Sequence, residues 1–432
     1  MSRAAREETL FFDKKRETMS SETRRRELEA GLLKIIAHAH GHSRAYRDIW
    51  DRAGVEPREI LGLDDLPKLP GVHLADLVER KKSDPPLGGF ETIPVSDFHR
   101  IYANPGPIWQ PGEKEYRDQS WAEGLVGAGF RPGDRILNTF NYHLWPFAMM
   151  LDDSARMIGA TVIPTGVGNT LIQIKALQGL RVNGFFGTPS FLNTLIQRAE
   201  SLGLDARRDF FLERALTGAE MLPEKLRARL EDKIDVTIRQ TYGVVFLGCL
   251  GYECLHLSGL HVPSGVIVEV VDPQTGIPVP PGAVGEIAAT SFNYSYPMIR
   301  FATGDLSYFI PESCPCGRTG PLLGRVLGRL DQATKVRGTF VHPWQTDEVM
   351  SKFKEVFKYQ AVVTRDKDKD VMTFMVELKE DVPRPERLAG LMEREIKELL
   401  TVKGAVQIIP RGTIPDFQKK IVDRRPWEAA PE

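Results

Sequence analysis

Four cysteines in 432 residues are too few for a disulfide framework, and no run approaches the roughly 20 apolar residues that a membrane-spanning helix needs. Charge of one sign is missing too. With 57 Lys and Arg against 58 Asp and Glu, no net field steers the chain toward nucleic acid or an anionic membrane. The opening MSRAAREETLFFDKKRE has no apolar stretch of signal-peptide length, and there is neither an internal repeat nor a low-complexity segment. The expectation is a soluble cytoplasmic protein that takes a small, largely neutral ligand and has no nucleic-acid or membrane partner.

What is present is apolar material in two distinct rhythms. Hydrophobic residues make up 42% of the chain, enough for two or three domains with cores of their own. Residues 20–50 carry apolar side chains at three- and four-residue spacing, which predicts an amphipathic helix used for packing. From 120 to 250, helical segments alternate with the short runs RILNTFNY, ATVIPTG, GFFGTPS, RALTGAE and VTIRQTYG. Such alternation predicts a mainly parallel sheet covered by helices, with ligands at the carboxyl ends of its strands.

From 255 to 310 the rhythm shortens to VIVEVVD, GEIAATSF and SYFI, joined by turns such as DPQTGIPVPPGAVG. After GRLDQ the chain restarts as strand (TKVRGTFV), helix (WQTDEVMSKF), hairpin turning at RDKDKD, helix (RPERLAGLMEREIKELL) and strand (VQIIP). A unit of about 100 residues in that order is α+β and reads as a mobile lid. The expected fold is therefore α/β. A large amino-terminal domain (1–330) has mainly parallel sheets and a β-rich subdomain (255–325), and a small α+β carboxyl-terminal lid domain spans 331–432.

Three of the cysteines lie in polar, turn-rich sequence. Cys254, His261, Cys314 and Cys316 form Cys-x6-His followed by Cys-x-Cys, and the second pair sits in CPCG, a knuckle-like turn. Three thiolates and one imidazole would close a tetrahedral structural zinc site with no position left for water; the alternative is incidental cysteines. Cys249, in FLGCLG, reads as a small buried hydrophobe.

Taken in order, GFRPGDRILN, GATVIPTGVGNT, GTPSF, TGAE, TYG, RFATGD, CPCGRTG, GRLDQATKVRG and the closing GTIPDFQKK resemble the adenylate-forming (AMP-binding) enzymes, in their phenylacetate–CoA ligase-like branch. Each motif alone is weak; the shared order over nearly the whole chain is not. The resemblance implies an acid–CoA ligase acting on an aromatic or related carboxylic acid. In that chemistry a carboxylate attacks the α-phosphate of ATP, and the thiol of coenzyme A then displaces AMP from the acyl-adenylate. It implies a ribose acceptor at Asp305, a ribose and phosphate contact at Arg329, and a hinge at Asp331. Gly218, Ala219 and Glu220 would lie beside adenine, with Tyr242 and Gly243 near the base and the acyl group. A lid lysine would be Lys419 or Lys420, and some members of that branch hold zinc at a site like the one above. For each of these residues an ordinary turn, strand end or surface ion pair is the competing reading. Asn141, Tyr142, His143 and Trp145 are weaker candidates for the acid's pocket.

Three departures qualify the resemblance. Where the family has a Ser, Thr and Gly loop ending in Lys-Pro, this chain has ANPGPIWQPG: Pro105 and Pro107 remove N–H donors, the hydroxyls are gone, and Gln110 stands for the ammonium. Val244, Val245 and Phe246 follow Tyr242-Gly243, where the family places a glutamate for magnesium, so magnesium is doubtful. The closing segment is also short. The expectation is thus a degenerate phosphate loop. Beside the ligase stands a second reading, a non-catalytic or ATP-independent paralogue that binds a nucleotide, acyl-adenylate or acyl-CoA, or partners an active ligase. The sequence leaves the oligomeric state open, a homodimer included.

Overall fold

The structure, a computed structural model, describes residues 11–425 except 105–107, 115–117, 333, 338, 367–368, 380–381, 383–384 and 416–418. The chain divides into two compact units, one comprising residues up to Thr303 with Ser307–Val326, the other Gly304–Leu306 with the residues from Leu327 onward.

The first unit is built on a nine-stranded sheet. Strands Thr161–Pro164, Arg135–Asn138, Gly184–Gly187, Arg214–Thr217 and Thr237–Val244 run parallel in that spatial order. Helices Pro146–Met157, Thr170–Gly179, Pro189–Ser201 and Glu224–Ile234 connect them in sequence. A parallel strand needs a crossover long enough to return to its starting edge, and each helix supplies one. The sheet continues antiparallel through Gly248–Glu253, Leu260–His261, Leu322–Leu323 and Phe309–Ile310. Leu137, Phe185, Ala215 and Ile238 bury one face under the helices, while Ile136, Phe186 and Leu216 pack against Trp121 and Leu125 on the other. Both faces are covered, which is why these strands read as apolar runs and not as strict alternation.

A second sheet holds Val266–Val271, Gly285–Ser291 and Phe301–Ser307, the shorter rhythm seen after residue 255. The amino-terminal segment differs from one continuous helix: Ser21–His42 and Arg44–Ala53 are separate. The break falls at Ser43, whose backbone is extended, whose hydroxyl donates to the Gly89 carbonyl at 2.8 Å, and whose oxygen caps the second helix at the Tyr46 N–H. Apolar spacing continues across a buried cap because both helices face one core.

In the second unit, a four-stranded sheet in the order Gly404–Ile409, Lys369–Leu378, Val356–Asp366, Ile421–Asp423 packs against helices Pro343–Ser351 and Pro385–Leu400. Phe374 and Val376 of the sheet meet Met392 and Ile396 of the longer helix in its core. The architecture is α/β with a sheet-rich larger part and a smaller α+β part.

Candidate active site

The carboxyl ends of the parallel strands break into small and polar residues that are tied to one another. Thr188 caps helix Pro189–Ser201, accepting the Phe191 N–H at 3.2 Å. Glu220 reaches the same helix start: its carboxylate accepts the Ser190 hydroxyl at 2.8 Å and the Ser190 N–H at 3.3 Å. A carboxylate there is favoured by the free N–H groups of the first turn. The Glu220 carbonyl accepts from the Gln240 side chain at 3.1 Å, which links two neighbouring strand ends. Ala219 sits at φ 63°, a left-handed conformation that costs a non-glycine residue on the order of 1–3 kcal/mol and is held there by this network.

Tyr242 and Gly243 belong to strand Thr237–Val244, and Tyr242 is half-buried against the core of the first unit. Gly243 has a packing reason to be glycine: a Cβ would run into the Trp121 ring and lie 2.9 Å from the Gly248 carbonyl.

The described residues of ANPGPIWQPG belong to the paired strands of a hairpin. Strands Arg100–Asn104 and Ile108–Gly112 pair antiparallel, with Tyr102 opposite Gln110 and Asn104 opposite Ile108; Pro105, Gly106 and Pro107 at its tip lie outside the described residues. Period-2 alternation turns Tyr102, Asn104, Ile108 and Gln110 inward and leaves Trp109 39% exposed. Gln110 is 4% exposed, and its Oε1 accepts the Asn104 side-chain N–H at 3.0 Å. Residue 110 is an interior, hydrogen-bonded amide, because the hairpin register points it at the core.

A cavity of about 300 Å³ lies behind this hairpin, walled by Tyr102, Gln110, Phe246, Phe292 and Tyr296. It does not reach Gly218–Glu220 or Tyr242. Two of its carboxylates are paired within the unit: Glu123 accepts the Ser264 N–H at 2.8 Å as well as the Ser264 hydroxyl, and Asp118 accepts the Ser120 N–H at 2.8 Å. Burial pushes the Glu123 carboxyl up to about 7.

In the second unit, Asp305 and Arg329 stand opposite each other in an antiparallel pair, with Nη1 and Oδ1 3.6 Å apart. Asp331 is the middle residue of the short 3-10 turn Leu330–Gln332, and its side chain lies outside the described residues. Lys419 and Lys420 behave differently. The Lys420 ammonium is 3.1 Å from Asp347 Oδ1 and 4.5 Å from the Tyr359 ring centroid, while the Tyr359 hydroxyl donates to the same Asp347 oxygen at 2.6 Å. The Lys419 side chain is exposed, and its carbonyl accepts the Gln360 amide at 3.0 Å.

Cys254, His261, Cys314 and Cys316 come together in the first unit, their donor atoms all within 4.8 Å of one another. Cys254 and Cys314 sulfurs are 3.5 Å apart, and Cys316 Sγ lies 3.4 Å from His261 Nε2. A hydrogen bond from Cys254 draws Cys316 down toward the thiolate and leaves the proton on Cys254, whose own pKa rises. The His256 N–H points at the Cys254 sulfur from 3.4 Å. With zinc–sulfur bonds of about 2.3 Å a tetrahedral site has edges of about 3.8 Å, so the spacing and donor set fit that metal. Cys249, fully buried beside Thr241, is no part of this group.

The same chain matches two family descriptions: an AMP-binding enzyme over residues 121–293 and an AMP-binding enzyme C-terminal domain over residues 338–425. It is 30% identical to the phenylacetate-coenzyme A ligase of Thermus thermophilus, an alignment covering 96% of this chain and all of that protein. The chain belongs to the phenylacetate–CoA ligase-like AMP-binding enzymes. Another relative, the phenylacetate-coenzyme A ligase of Escherichia coli K12, is 29% identical over 89% of this chain and 90% of its own length. Among solved structures, an open conformation of 2-hydroxyisobutyryl-CoA ligase in complex with 2-HIB-AMP and CoA superposes with a TM-score of 0.84 at 24% identity, covering 96% of this chain and 94% of the other. That likeness concerns the fold. In this AMP-binding family member the described residues include no helix long and apolar enough to cross a membrane.

One residue of the site region escaped the sequence reading. Lys81, in the last turn of helix Leu74–Ser83, donates its ammonium to the Trp109 carbonyl. Its only local mark is the basic run ERKKS, which reads as an exposed helix end.

Proposed function

We propose that the chain is an acid–thiol ligase that joins an aromatic or related carboxylic acid to coenzyme A through an acyl-adenylate. The observation that carries this reading is end-to-end alignment with a phenylacetate-coenzyme A ligase, including both the AMP-binding and C-terminal segments. In this reading the nucleoside falls to Asp305 and Arg329, the adenine side to Gly218, Ala219 and Glu220, and the acyl side to Tyr242 and Gly243. Asp331 marks the hinge on which residues 331–432 turn as the lid domain, against 1–330 as the large domain. Lys419 has the less constrained ammonium of the two lid candidates, since Lys420 is engaged by Asp347 and Tyr359. Cys254, His261, Cys314 and Cys316 hold structural zinc, which brings together strand and loop segments and takes no part in the reaction.

A second reading rests on a specific observation. Asn104 and Gln110 bond to each other, and Val244, Val245 and the buried Phe246 follow Gly243 where the resemblance leads one to expect a magnesium-holding glutamate. Both favour a chain that binds an adenylate or acyl-CoA without ordinary ATP activation. Exchange of labelled pyrophosphate into ATP, over a panel of aromatic and aliphatic acids, with CoA-dependent thioester formation in parallel, separates the two. Acid-dependent exchange and thioester formation are expected of the ligase. Neither activity, with adenylate binding retained, would leave only the second reading.

A further inference from the structure

Lys81 joins four stretches that are far apart in sequence. It is 7% exposed, and its ammonium lies 4.6 Å from the Phe246 ring centroid and 5.3 Å from that of Tyr296, with the Trp109 carbonyl as its hydrogen-bond acceptor. The two rings are themselves 6.1 Å apart, and the Tyr296 hydroxyl donates to the Leu87 carbonyl at 3.0 Å, so the aromatic seat is fixed. Gly88, at φ 80°, covers the lysine stem; a Cβ there would lie 3.2 Å from Lys81 Cγ. Phe246 takes part from φ 75°, a conformation unfavourable to an aromatic residue, in the turn between strands Thr237–Val244 and Gly248–Glu253. A buried ammonium with one carbonyl and two aromatic faces is held by charge-assisted hydrogen bonding and cation–π attraction.

We propose that Lys81 is a positioning residue for the acyl-adenylate step: it clamps the 100–112 hairpin to the turn that follows Tyr242. The proposal rests on the adenylate reading given above. Burying the ammonium costs free energy, so the clamp closes more readily once the amine is neutral. Burial brings the amine down to about 7, and Glu91, half-buried with its own carboxyl pushed up by desolvation, is the charged group that opposes this shift. Tyr296 is also titratable, but burial holds its phenol well above the usual range, so it stays neutral. As pH rises through 7, the closed site gives up the Lys81 proton that an opened, solvated amine would keep, so closure is favoured, and the neutral amine still donates to the Trp109 carbonyl.

Hydrogen exchange on the full chain, followed by mass spectrometry from pH 6 to 9 and normalised to the intrinsic rate, tests the clamp. In the wild type, protection of the 100–112 hairpin should rise several-fold as pH rises through 7, while the strands at 356–378 keep theirs. Lys81→Met should lose hairpin protection throughout and show no step; Lys81→Arg should keep protection with no step. Equal hairpin protection in wild type and Lys81→Met, or no step in the wild type, overturns the clamp. The wild-type arm stands even if a variant fails to fold. A non-hydrolysable acyl-sulfamoyl adenosine should bind Lys81→Met at least fivefold more weakly, with AMP affinity unchanged, whereas general destabilisation would weaken both. Unchanged affinity for that mimic would overturn the link from clamp to adenylate step. A wild type that binds neither probe would refute the adenylate reading, and the exchange step would still decide the clamp.

Discussion

The side-chain amide of Asn104 donates to Gln110 Oε1 at 3.0 Å across a two-stranded hairpin, and both residues are nearly inaccessible to water. An ammonium at position 110 cannot accept this bond and would bring a charge into a buried position. Gln110→Lys is therefore expected to lower stability by about 1–3 kcal/mol and not to restore triphosphate binding. Denaturant unfolding with a parallel MgATP titration checks it; a stable variant with tighter MgATP binding would show that residue 110 can turn outward.

The same arrangement governs nucleotide preference. With no ammonium offered by residue 110, AMP should bind at least as tightly as MgATP, since each missing charge-assisted contact forgoes about 1.5–3 kcal/mol. Asp305→Ala should abolish binding of both. Calorimetric titration decides, and clearly tighter MgATP binding would speak for a working triphosphate site.

Cys254 and Cys314 sulfurs at 3.5 Å, with Cys316 and His261 completing the group, lead to an expected content of about one zinc per chain. Cys316→Ser should lose the metal together with thermal stability. Elemental analysis of protein purified without chelator makes the measurement, and zinc-free, fully stable protein would rule the site out.

Gly243→Ala would press a methyl group into the Trp121 ring and the Gly248 carbonyl. The expected loss is about 1–3 kcal/mol of stability. A denaturant midpoint unchanged by the substitution, with adenylate binding lost, would mean that the glycine serves the ligand and not the packing.

Lys81 also sets the slope of stability against pH. Its amine falls from 10.5 to about 7 because burial disfavours the charged form. Between those values the unfolded chain holds one more proton than the folded chain, so this group makes stability rise with pH, by about 1.4 kcal/mol per unit at most. Below 7 the full desolvation penalty is present. Lys81→Met should remove the slope, and unfolding curves collected from pH 6.5 to 9.5 would contradict this if wild type and variant ran parallel. The sign is the same as for the hairpin clamp, whose closure also strengthens over this rise in pH.

The sequence by itself determined what repeats locally or is carried by residue type. Apolar runs such as GFFGTPS and RALTGAE, spaced by helix-length segments, were enough for a parallel α/β sheet, because a strand buried on both faces needs no alternation. The ordered motifs from GFRPGDRILN to GRLDQ were enough for the family. Cys-x6-His and Cys-x-Cys named the four donors, although the 52 residues between His261 and Cys314 carry no distance information. Tertiary structure decided the rest. Alternation in RIYAN and IWQPG offers two faces, and only the core beneath the hairpin selects the one carrying Asn104 and Gln110. Ser43 interrupts a helix whose apolar spacing runs on unbroken, since the cap is made with Gly89, 46 residues away. Lys81 looks like a solvated helix end until folding closes Phe246 and Tyr296 around it. Contacts across such separations depend on chain topology, and a local pattern cannot encode which distant side chain will arrive.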